Sequence, residues 1–216
     1  MEEAACRKEA GCAAAKKKLY LIRHAESEHN LFSALPGNAK VDPYLWDCNV
    51  TEKGQQQIEQ LRERVKDIEV DLIVCSPLTR ALQTCLGGFA GRNQTVVVTD
   101  LCRERLENAC DFGRLAKELV EDFPTVDFSA LPSGIWWYIP EELSAQITEE
   151  NYKELFREHR WKEPLAEMAE RIEAFKRWLL AREEQTIAVV SHSTFLRDMM
   201  GAPSKMPNCD VQVMEL

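Results

Sequence analysis

The stretch YLIRHAESEHN, residues 20–30, decides which fold the sequence predicts. A short apolar run at residues 19–22 indicates a buried strand, and Arg23 and His24 follow where that strand should end. An arginine and a histidine that leave a strand end together can form an anion site beside a nucleophile or a base. We therefore expect the rest of the chain to complete such a site.

The composition is ordinary for a globular protein. With 216 residues, of which 45% are hydrophobic and 29% are charged, the chain can bury a full core. Its formal net charge of -9 disfavours a general nucleic-acid or acidic-membrane binder, because no broad basic face is available. No apolar stretch approaches the roughly 20 residues of a membrane span. An anionic ligand must therefore be held by a local cluster of cations.

The N-terminal segment, residues 1–18, is predicted to be a disordered tail, with residues 16–18 as a solvated flank of the first strand. Its early acidic residues fit neither a secretory signal nor an acid-poor transit peptide. The eight cysteines are scattered, without a C-x-x-C pair or matching histidine pairs. We therefore expect reduced thiols in a cytoplasmic protein, and no metal site.

Strand and helix patterns alternate along the chain. Apolar runs predict further strands at 70–75, 95–99 and 186–190, and a last edge strand at 211–214. Helices are predicted after Thr51, from Ser76 to Gly88, over 113–121, over 151–158, after Pro164 and over 193–200. This alternation predicts an α/β fold, whose mostly parallel central sheet is covered on both faces.

A single domain is expected over residues 19–216. Residues 31–48 look irregular, and an irregular insertion is expected at about 105–160. Trp136 and Trp137 lie within that insertion. They could form a lid over an apolar substrate group, but packing beneath the insertion is the favoured interpretation.

Each predicted parallel strand end leads to a candidate functional side chain. Ligands of open parallel sheets bind beyond the carboxyl ends of the strands, so these side chains should meet. The candidates, in strand order, are Arg23 and His24, then Arg80, then Arg103 and Glu104, then His192 and Ser193. We therefore predict one site at this edge of the sheet.

The candidate set fits phosphoryl transfer. A phosphate dianion needs two or three cationic donors, and the guanidinium groups of Arg23 and Arg80 can bind its oxygens bidentately. His192 can add a hydrogen bond or a charge, and the amides that open the following helix favour an anion nearby. His24 can then attack phosphorus as a neutral imidazole, because nearby cations depress its pKa. The product of that attack is a phosphohistidine.

The leaving alkoxide needs a proton, and Glu104 is the best-placed acid. A bound phosphate would raise its pKa toward a donor's range, and the same carboxylate can later activate water. Glu107 and Asp111 are close enough in sequence to remain alternatives.

Other phosphatase chemistries lack their motifs. A cysteine nucleophile needs C-x5-R, whereas Cys75 and Arg80 form only C-x4-R. The P-loop pattern and the His/Asp clusters of metal-dependent hydrolases are also absent. We therefore expect a reaction that needs neither a metal ion nor a cofactor.

The motifs resemble those of the histidine phosphatase superfamily, in the branch that includes the cofactor-dependent phosphoglycerate mutases. RHAES, SPLTRALQT, the L-x-R-E segment and VVSHS occur in the family's order between residues 19 and 201. The resemblance implies a three-layer α/β/α sandwich. It also implies His24 as nucleophile, Glu104 as proton donor, and as phosphate ligands Arg23, Asn30, Arg80 and His192. Ala25 stands where the family usually has glycine, and Ser193-Thr194 follow His192 where many members have glycine.

Two further residues have weaker assignments. Arg103 is either a second substrate contact or a solvated neighbour of Glu104. His29 could lie at the rim of the pocket, but exposure is favoured.

Three activities are compatible with these residues. The preferred one is hydrolysis of phosphate monoesters on a small phosphorylated substrate; the alternative is mutase-type phosphoryl transfer, which must exclude water. Hydrolysis is favoured because little chain follows Gly201 to close over a site, and because residues 105–160 lack basic clusters for a doubly anionic acid. A non-catalytic phosphate-binding module ranks last, since the nucleophile, arginines and acid are all present. The substrate and the oligomeric state stay open.

Overall fold

A five-stranded sheet forms the centre of the computed structural model, which describes residues 16–216. Its strands are β1 (Lys18–Arg23), β2 (Leu72–Cys75), β3 (Val96–Val98), β4 (Thr186–Ser191) and β5 (Val211–Glu215). They lie in the order β3-β2-β4-β1-β5, and only β5, at the edge beside β1, is antiparallel within this sheet. The mostly parallel sheet and its final edge strand are therefore confirmed.

The helices cover both faces of the sheet. They are α1 (Glu28–Ala34), α2 (Glu52–Val65), α3 (Thr79–Gly88), α4 (Ala116–Asp122), α5 (Tyr152–His159), α6 (Leu165–Leu180) and α7 (Ser193–Met200). On one face α2 and α3 pack against Ala188 and Val190 of β4, and on the other α6 and α7 pack against Ile187 and Val189. Alternate residues of β4 thus pack into two separate cores, one on each face of the sheet. The sheet and the helices on its two faces form the three layers. Within residues 16–216, no helix is long and apolar enough to cross a membrane.

Some helix boundaries differ from the predictions. Helix α1 lies where a polar loop was expected, because it buries none of its residues and so has no apolar periodicity. Helix α3 begins at Thr79, not at Ser76, because the Ser76 hydroxyl contacts His192 Nε2 at 2.7 Å instead of capping that helix. Helix α4 begins at Ala116, three residues later than predicted.

The prediction of a solvated flank before the first strand is wrong for Lys17, whereas Lys16 and Lys18 are exposed. Lys17 is only 3% exposed, and its Nζ donates hydrogen bonds to the carbonyl oxygens of Arg182 and Glu184. Lys18 is already part of β1. Lys17 can be buried because its own ammonium group donates to these two carbonyl groups, which lie just beyond the end of α6. The rest of the predicted tail, residues 1–15, lies outside the described residues.

Residues 105–160 pack through aromatic side chains. Phe112 is fully buried and contacts the rings of Trp46, Trp137, Tyr152, Phe156 and Trp161, at centroid distances of 4.6–6.0 Å. Trp136 and Trp137 are each only 4% exposed. Packing beneath the insertion is therefore confirmed for both tryptophans, and the lid interpretation is wrong.

The cysteines described by the structure are all buried and free of disulfides: Cys48, Cys75, Cys85, Cys102, Cys110 and Cys209. This agrees with the predicted reduced thiols. Cys6 and Cys12 lie outside the described residues.

The aromatic cluster around Phe112 should contribute strongly to stability. Phe112→Ala removes a fully buried ring and should lower the free energy of unfolding by about 3–5 kcal/mol, measured by urea titration. Val120→Ala, at a side chain that is 47% exposed, should change it by less than about 0.5 kcal/mol. Equal losses in the two variants would contradict the assignment of Phe112 as a core residue.

Candidate active site

A cavity of about 190 Å³ opens beyond the carboxyl ends of the parallel strands. The register of the sheet places Arg23 of β1 opposite Ser191 of β4, and Cys75 of β2 opposite Val190, so these strands end nearly level. Six of the eight predicted site residues line the cavity: Arg23, His24, Asn30, Arg80, Glu104 and Ser193. No aliphatic or aromatic hydrocarbon side chain is among the lining residues. The wall is therefore polar almost throughout.

His24 has one free ring nitrogen. Its Nδ1 lies 2.7 Å from the carbonyl oxygen of Ala25, and because a carbonyl only accepts, Nδ1 must carry the hydrogen. In the neutral ring, Nε2 then keeps its lone pair. Burial, followed by the charges of Arg80 and Arg23, holds the pKa of His24 well below its usual range. The ring is therefore a neutral base or nucleophile.

His192 lies behind His24, with the two ring centroids 5.0 Å apart. Its Nε2 is 2.7 Å from the hydroxyl oxygen of Ser76, whereas Nδ1 is buried without a partner among the described residues. If the Ser76 hydroxyl donates to Nε2, then Nδ1 carries the hydrogen and is available as a donor. Burial and the charge of Arg80 hold the pKa of His192 well below its usual range. A contact between Ser76 and His192 was not predicted, because Ser76 resembled a helix cap.

Two of the three arginines that line the cavity, Arg23 and Arg80, are held by backbone carbonyl groups. Arg23 donates from Nη1 to the Met206 carbonyl at 2.7 Å, while its Nε is buried without a partner among residues 16–216. Arg80 donates from Nη1 to the Cys110 carbonyl at 2.5 Å, and from Nη2 to Asp111 Oδ1 at 3.0 Å. Both guanidinium groups are thereby fixed in orientation. Unsatisfied buried donors such as Arg23 Nε favour a bound acceptor.

Glu104 accepts three backbone hydrogen bonds. Its Oε1 accepts from Arg105 and Phe195, and its Oε2 accepts from Thr194. The backbone N–H groups at the start of α7 therefore donate to Glu104. The prediction that they would favour a bound phosphate is wrong for Thr194 and Phe195. Burial, and then the charge of Asp111, raise the pKa of Glu104 in spite of these amides. Since Oε2 has one donor and Oε1 has two, Oε2 is the better position for a proton.

The alternative carboxylates are less suitable as acids. Asp111 accepts from Arg80 through Oδ1, and from the amides of Glu107 and Asn108 through Oδ2. Both of its oxygens thus already accept hydrogen bonds, although burial raises the pKa of Asp111 as well. Glu107 forms an ion pair with Arg105 at 2.6 Å. Glu104 is the acid that this geometry favours, and Asp111 holds Arg80.

Arg103 does not reach the cavity, which corrects the prediction of a substrate contact. It is also not solvated, because only 6% of its surface is exposed and its Nη2 lies 3.0 Å from Glu163 Oε1. Burial and the neighbouring charge of Arg171 lower the pKa of Arg103 to about 10. Arg103 has an extended backbone, and successive side chains of an extended chain point to opposite sides. Glu104 therefore faces the cavity while Arg103 faces away from it.

Two groups of cavity residues were missed by the sequence reasoning. Ser27, Ser33 and the half-buried His29 reach the cavity from α1 and its cap, so exposure of His29 was the wrong choice. Residues 202–210, between α7 and β5, also close on the site: Lys205 lines the cavity, and Met206 holds Arg23. The expectation that little chain after Gly201 reaches the site is therefore wrong. Neither segment has a periodic pattern that could have shown its position.

Within residues 16–216, no group of three or more His, Cys, Asp or Glu residues could hold a metal ion.

Comparisons with known proteins agree with the fold. The family model of the histidine phosphatase superfamily (branch 1) matches residues 19–127. A phosphoglycerate mutase-like protein of Arabidopsis thaliana is 27% identical over 225 residues, covering 88% of this chain and 75% of that protein. Phosphoserine phosphatase 1 of Hydrogenobacter thermophilus is 30% identical over 183 residues, covering 84% and 74%. The structure of the alpha-ribazole phosphatase from Shigella flexneri has a TM-score of 0.56 at 21% identity, covering 91% of this chain and 89% of that one.

The two buried neutral histidines should make stability depend on pH. In the folded protein His24 and His192 titrate well below the usual value, whereas in the unfolded chain they titrate near about pH 6.5. Below that pH the unfolded chain binds protons that the folded protein does not, so the free energy of unfolding falls as the pH falls. Each histidine contributes up to about 1.4 kcal/mol per pH unit to this slope.

His24→Asn should therefore reduce the slope between about pH 6.5 and pH 5, as measured by urea unfolding at several pH values. The exposed His159 provides the control, because His159→Asn should leave the slope of the wild type unchanged. Identical slopes for His24→Asn and the wild type would mean that His24 is protonated in the folded protein.

Proposed function

We propose that this chain, which belongs to the histidine phosphatase superfamily (branch 1), hydrolyses phosphate monoesters through a phosphohistidine on His24. The observation that carries the proposal is the tautomer of His24. Its Nδ1–H is committed to the Ala25 carbonyl, and its Nε2 lone pair is free in a cavity that Arg23, Arg80 and the carboxyl group of Glu104 also line. That combination supplies a nucleophile, charge for the phosphate and a proton for the leaving group.

In the first step the phosphate of the ester binds to Arg23, Arg80 and Asn30, whereas the buried His192 does not line the cavity. The lone pair of His24 Nε2 attacks phosphorus, and the bond from phosphorus to the ester oxygen breaks. Glu104 gives its proton to that oxygen, so the product leaves as a neutral alcohol. The positive charge that develops on the His24 ring is stabilised by the Ala25 carbonyl, which accepts from Nδ1.

In the second step water hydrolyses the phosphohistidine. The Glu104 carboxylate takes a proton from the attacking water, and the electron pair of the broken N–P bond returns to Nε2. Inorganic phosphate leaves, and Glu104 is again protonated for the next turnover. Because the arginines supply the positive charge and His24 the nucleophile, no step requires a metal ion.

The cavity supports a small polar substrate. Pockets for drug-sized ligands have volumes of about 300–1,000 Å³ and mostly apolar walls. The volume here is about 190 Å³, and hydroxyl, amide and charged groups dominate its wall. Small hydroxylated or charged phosphate esters are therefore better candidates than aryl or lipid phosphates.

Mutase-type transfer is the second candidate function. Lys205 lines the cavity and, among the described residues, has no carboxylate partner within ion-pair distance. A second anionic group on a substrate could bind there, as a mutase that moves phosphate within a small acid would need.

The nucleophile is tested by His24→Ala. This variant should release no phosphate above background from a panel of small phosphate esters, because the imidazole that accepts the phosphoryl group is lost. The wild type and the control His159→Ala should keep their activity, also in the presence of EDTA. Phosphate release is measured by a colorimetric assay.

Three outcomes would change the proposal. Undiminished turnover in His24→Ala would overturn the mechanism, and loss of wild-type activity in EDTA would overturn metal independence. Isomerisation of 3-phosphoglycerate in the presence of a 2,3-bisphosphorylated primer, with little release of phosphate, would establish the mutase instead.

The acid is tested by Glu104→Gln with two classes of ester. An alkyl phosphate needs the proton, so its turnover should fall by about 10²–10⁴-fold. Nitrophenyl phosphate has a leaving group that departs without a proton. It should still give a burst of nitrophenolate equal to the enzyme concentration, followed by slow turnover, because the base for the second step is also lost.

The exposed Glu142 provides a matched control, since Glu142→Gln lies outside the cavity and should leave both reactions unchanged. Equal losses for the two esters in Glu104→Gln, with no burst, would show that Glu104 is not the general acid.

A further inference from the structure

The side chain of Asn208 joins the nucleophile to a second residue of the cavity. Its Nδ2 lies 2.9 Å from the backbone carbonyl oxygen of His24 and 3.2 Å from Oδ1 of Asn30. Asn208 does not line the cavity itself. Any effect of Asn208 on a bound ligand must therefore pass through the residues that it touches.

The first of these contacts determines the orientation of the Asn208 amide. The two ends of an asparagine amide have similar shapes, so their assignment depends on their hydrogen-bond partners. The carbonyl oxygen of His24 is an acceptor and has no proton to give. The end of Asn208 that faces it must therefore be the NH2 group.

The contact between Asn208 and Asn30 then determines the orientation of the Asn30 amide. The NH2 group of Asn208 needs an acceptor on Asn30, and the backbone N–H of Ser27, 3.3 Å from the same Asn30 atom, also needs one. That atom must be Oδ1. The NH2 group of Asn30 then has no hydrogen-bond partner among residues 16–216, while Asn30 lines the cavity.

Orientation of this amide matters for an anion. An NH2 group that faces a phosphate donates a charge-assisted hydrogen bond, whereas an amide oxygen in the same place repels it. A free asparagine could present either end. In this protein the His24 carbonyl group, acting through Asn208, and the Ser27 N–H together exclude the unfavourable orientation.

We propose that Asn208 is a positioning residue, which orients the Asn30 amide so that its NH2 group donates to the bound phosphate. This inference rests on the proposed function to the extent that Asn30 binds the phosphate of the substrate. Asn208 makes no contact with that phosphate, and its effect passes through Asn30.

The segment that carries Asn208 is firmly placed. The backbone N–H of Cys209 donates to the Arg23 carbonyl at 3.0 Å, and Arg64 of α2 donates to the Cys209 carbonyl at 2.5 Å. Cys209 has a φ of 56°, which is unusual for a residue other than glycine. Backbone of this kind persists where the surrounding contacts over-determine it. Asn208 is therefore held in place by both β1 and α2.

The experiment measures the affinity for inorganic phosphate by calorimetry, with orthovanadate as a second probe. The variants are Asn30→Ala, Asn208→Ala, Asn208→Asp and the double variant Asn30→Ala/Asn208→Ala. The exposed Asn93 gives matched controls, Asn93→Ala and Asn93→Asp. Thermal unfolding of each variant shows that it is folded.

Asn30→Ala should weaken phosphate binding about tenfold, the size of one hydrogen bond to a charged group. Asn208→Ala should weaken it by about threefold to tenfold, because one of the two hydrogen bonds that orient the Asn30 amide is lost. Asn208→Asp should weaken it further, since Asn30 would then turn its NH2 group toward the new carboxylate. The double variant should bind phosphate as Asn30→Ala does, because Asn208 has nothing left to orient.

Additive losses in the double variant would overturn the inference, and so would an unchanged affinity in Asn208→Ala. If Asn208→Ala does not fold, Asn208→Asp in the presence and absence of Asn30→Ala provides the same test. A different result would disprove the proposed function alone. Phosphate binding that depends on Asn30 and Asn208, without hydrolysis of any ester, would disprove the hydrolase and leave the positioning role intact.

Discussion

The parallel pairing of β1 with β4 is the constraint on which the site depends. Their register places Arg23 opposite Ser191, and the backbone N–H of His24 donates to the Ser191 carbonyl at 2.9 Å. Two histidines from distant parts of the chain thereby come to lie with their rings 5.0 Å apart. A shift of one residue would turn every side chain of β1 to the opposite face, so its buried residues would no longer pack in their own cores. The burial of Leu19 and Leu21 on one face and Ile22 on the other therefore also fixes the position of His24.

Local charge within the cavity opposes the net charge of the chain. The protein carries a formal charge of -9, yet Arg23 and Arg80 lie beside two histidines whose pKa values are lowered by burial and then by these charges. The buried carboxylates divide between two roles because their hydrogen bonds differ. Asp111 is paired with Arg80, and its charge helps to raise the pKa of Glu104. Burial raises the pKa of both carboxyl groups, so their roles differ through their hydrogen-bond partners and not through opposite pKa shifts.

The strand ends could be predicted from the sequence because they depend on local patterns. Short apolar runs followed by polar residues located β1, β2, β3 and β4, and the site followed from their shared direction. Other features depend on contacts between distant residues. The side on which Arg103 lies is decided by Glu163, 60 positions away, and the position of residues 202–210 is decided by β1 and α2. Helix α1 escaped prediction because its side chains face a cavity instead of a core, which removes the apolar period.

Backbone carbonyl groups fix the positions of the protons in this site. The Ala25 carbonyl requires the hydrogen of His24 on Nδ1, and the His24 carbonyl requires the NH2 group of Asn208. Through Asn208 the same carbonyl orients Asn30. A carbonyl oxygen does not titrate and cannot exchange donor for acceptor, so these assignments persist when the charge in the cavity changes during turnover. A site that must bind a dianion, transfer a phosphoryl group and release inorganic phosphate can thus keep the direction of its hydrogen bonds without rearranging its side chains.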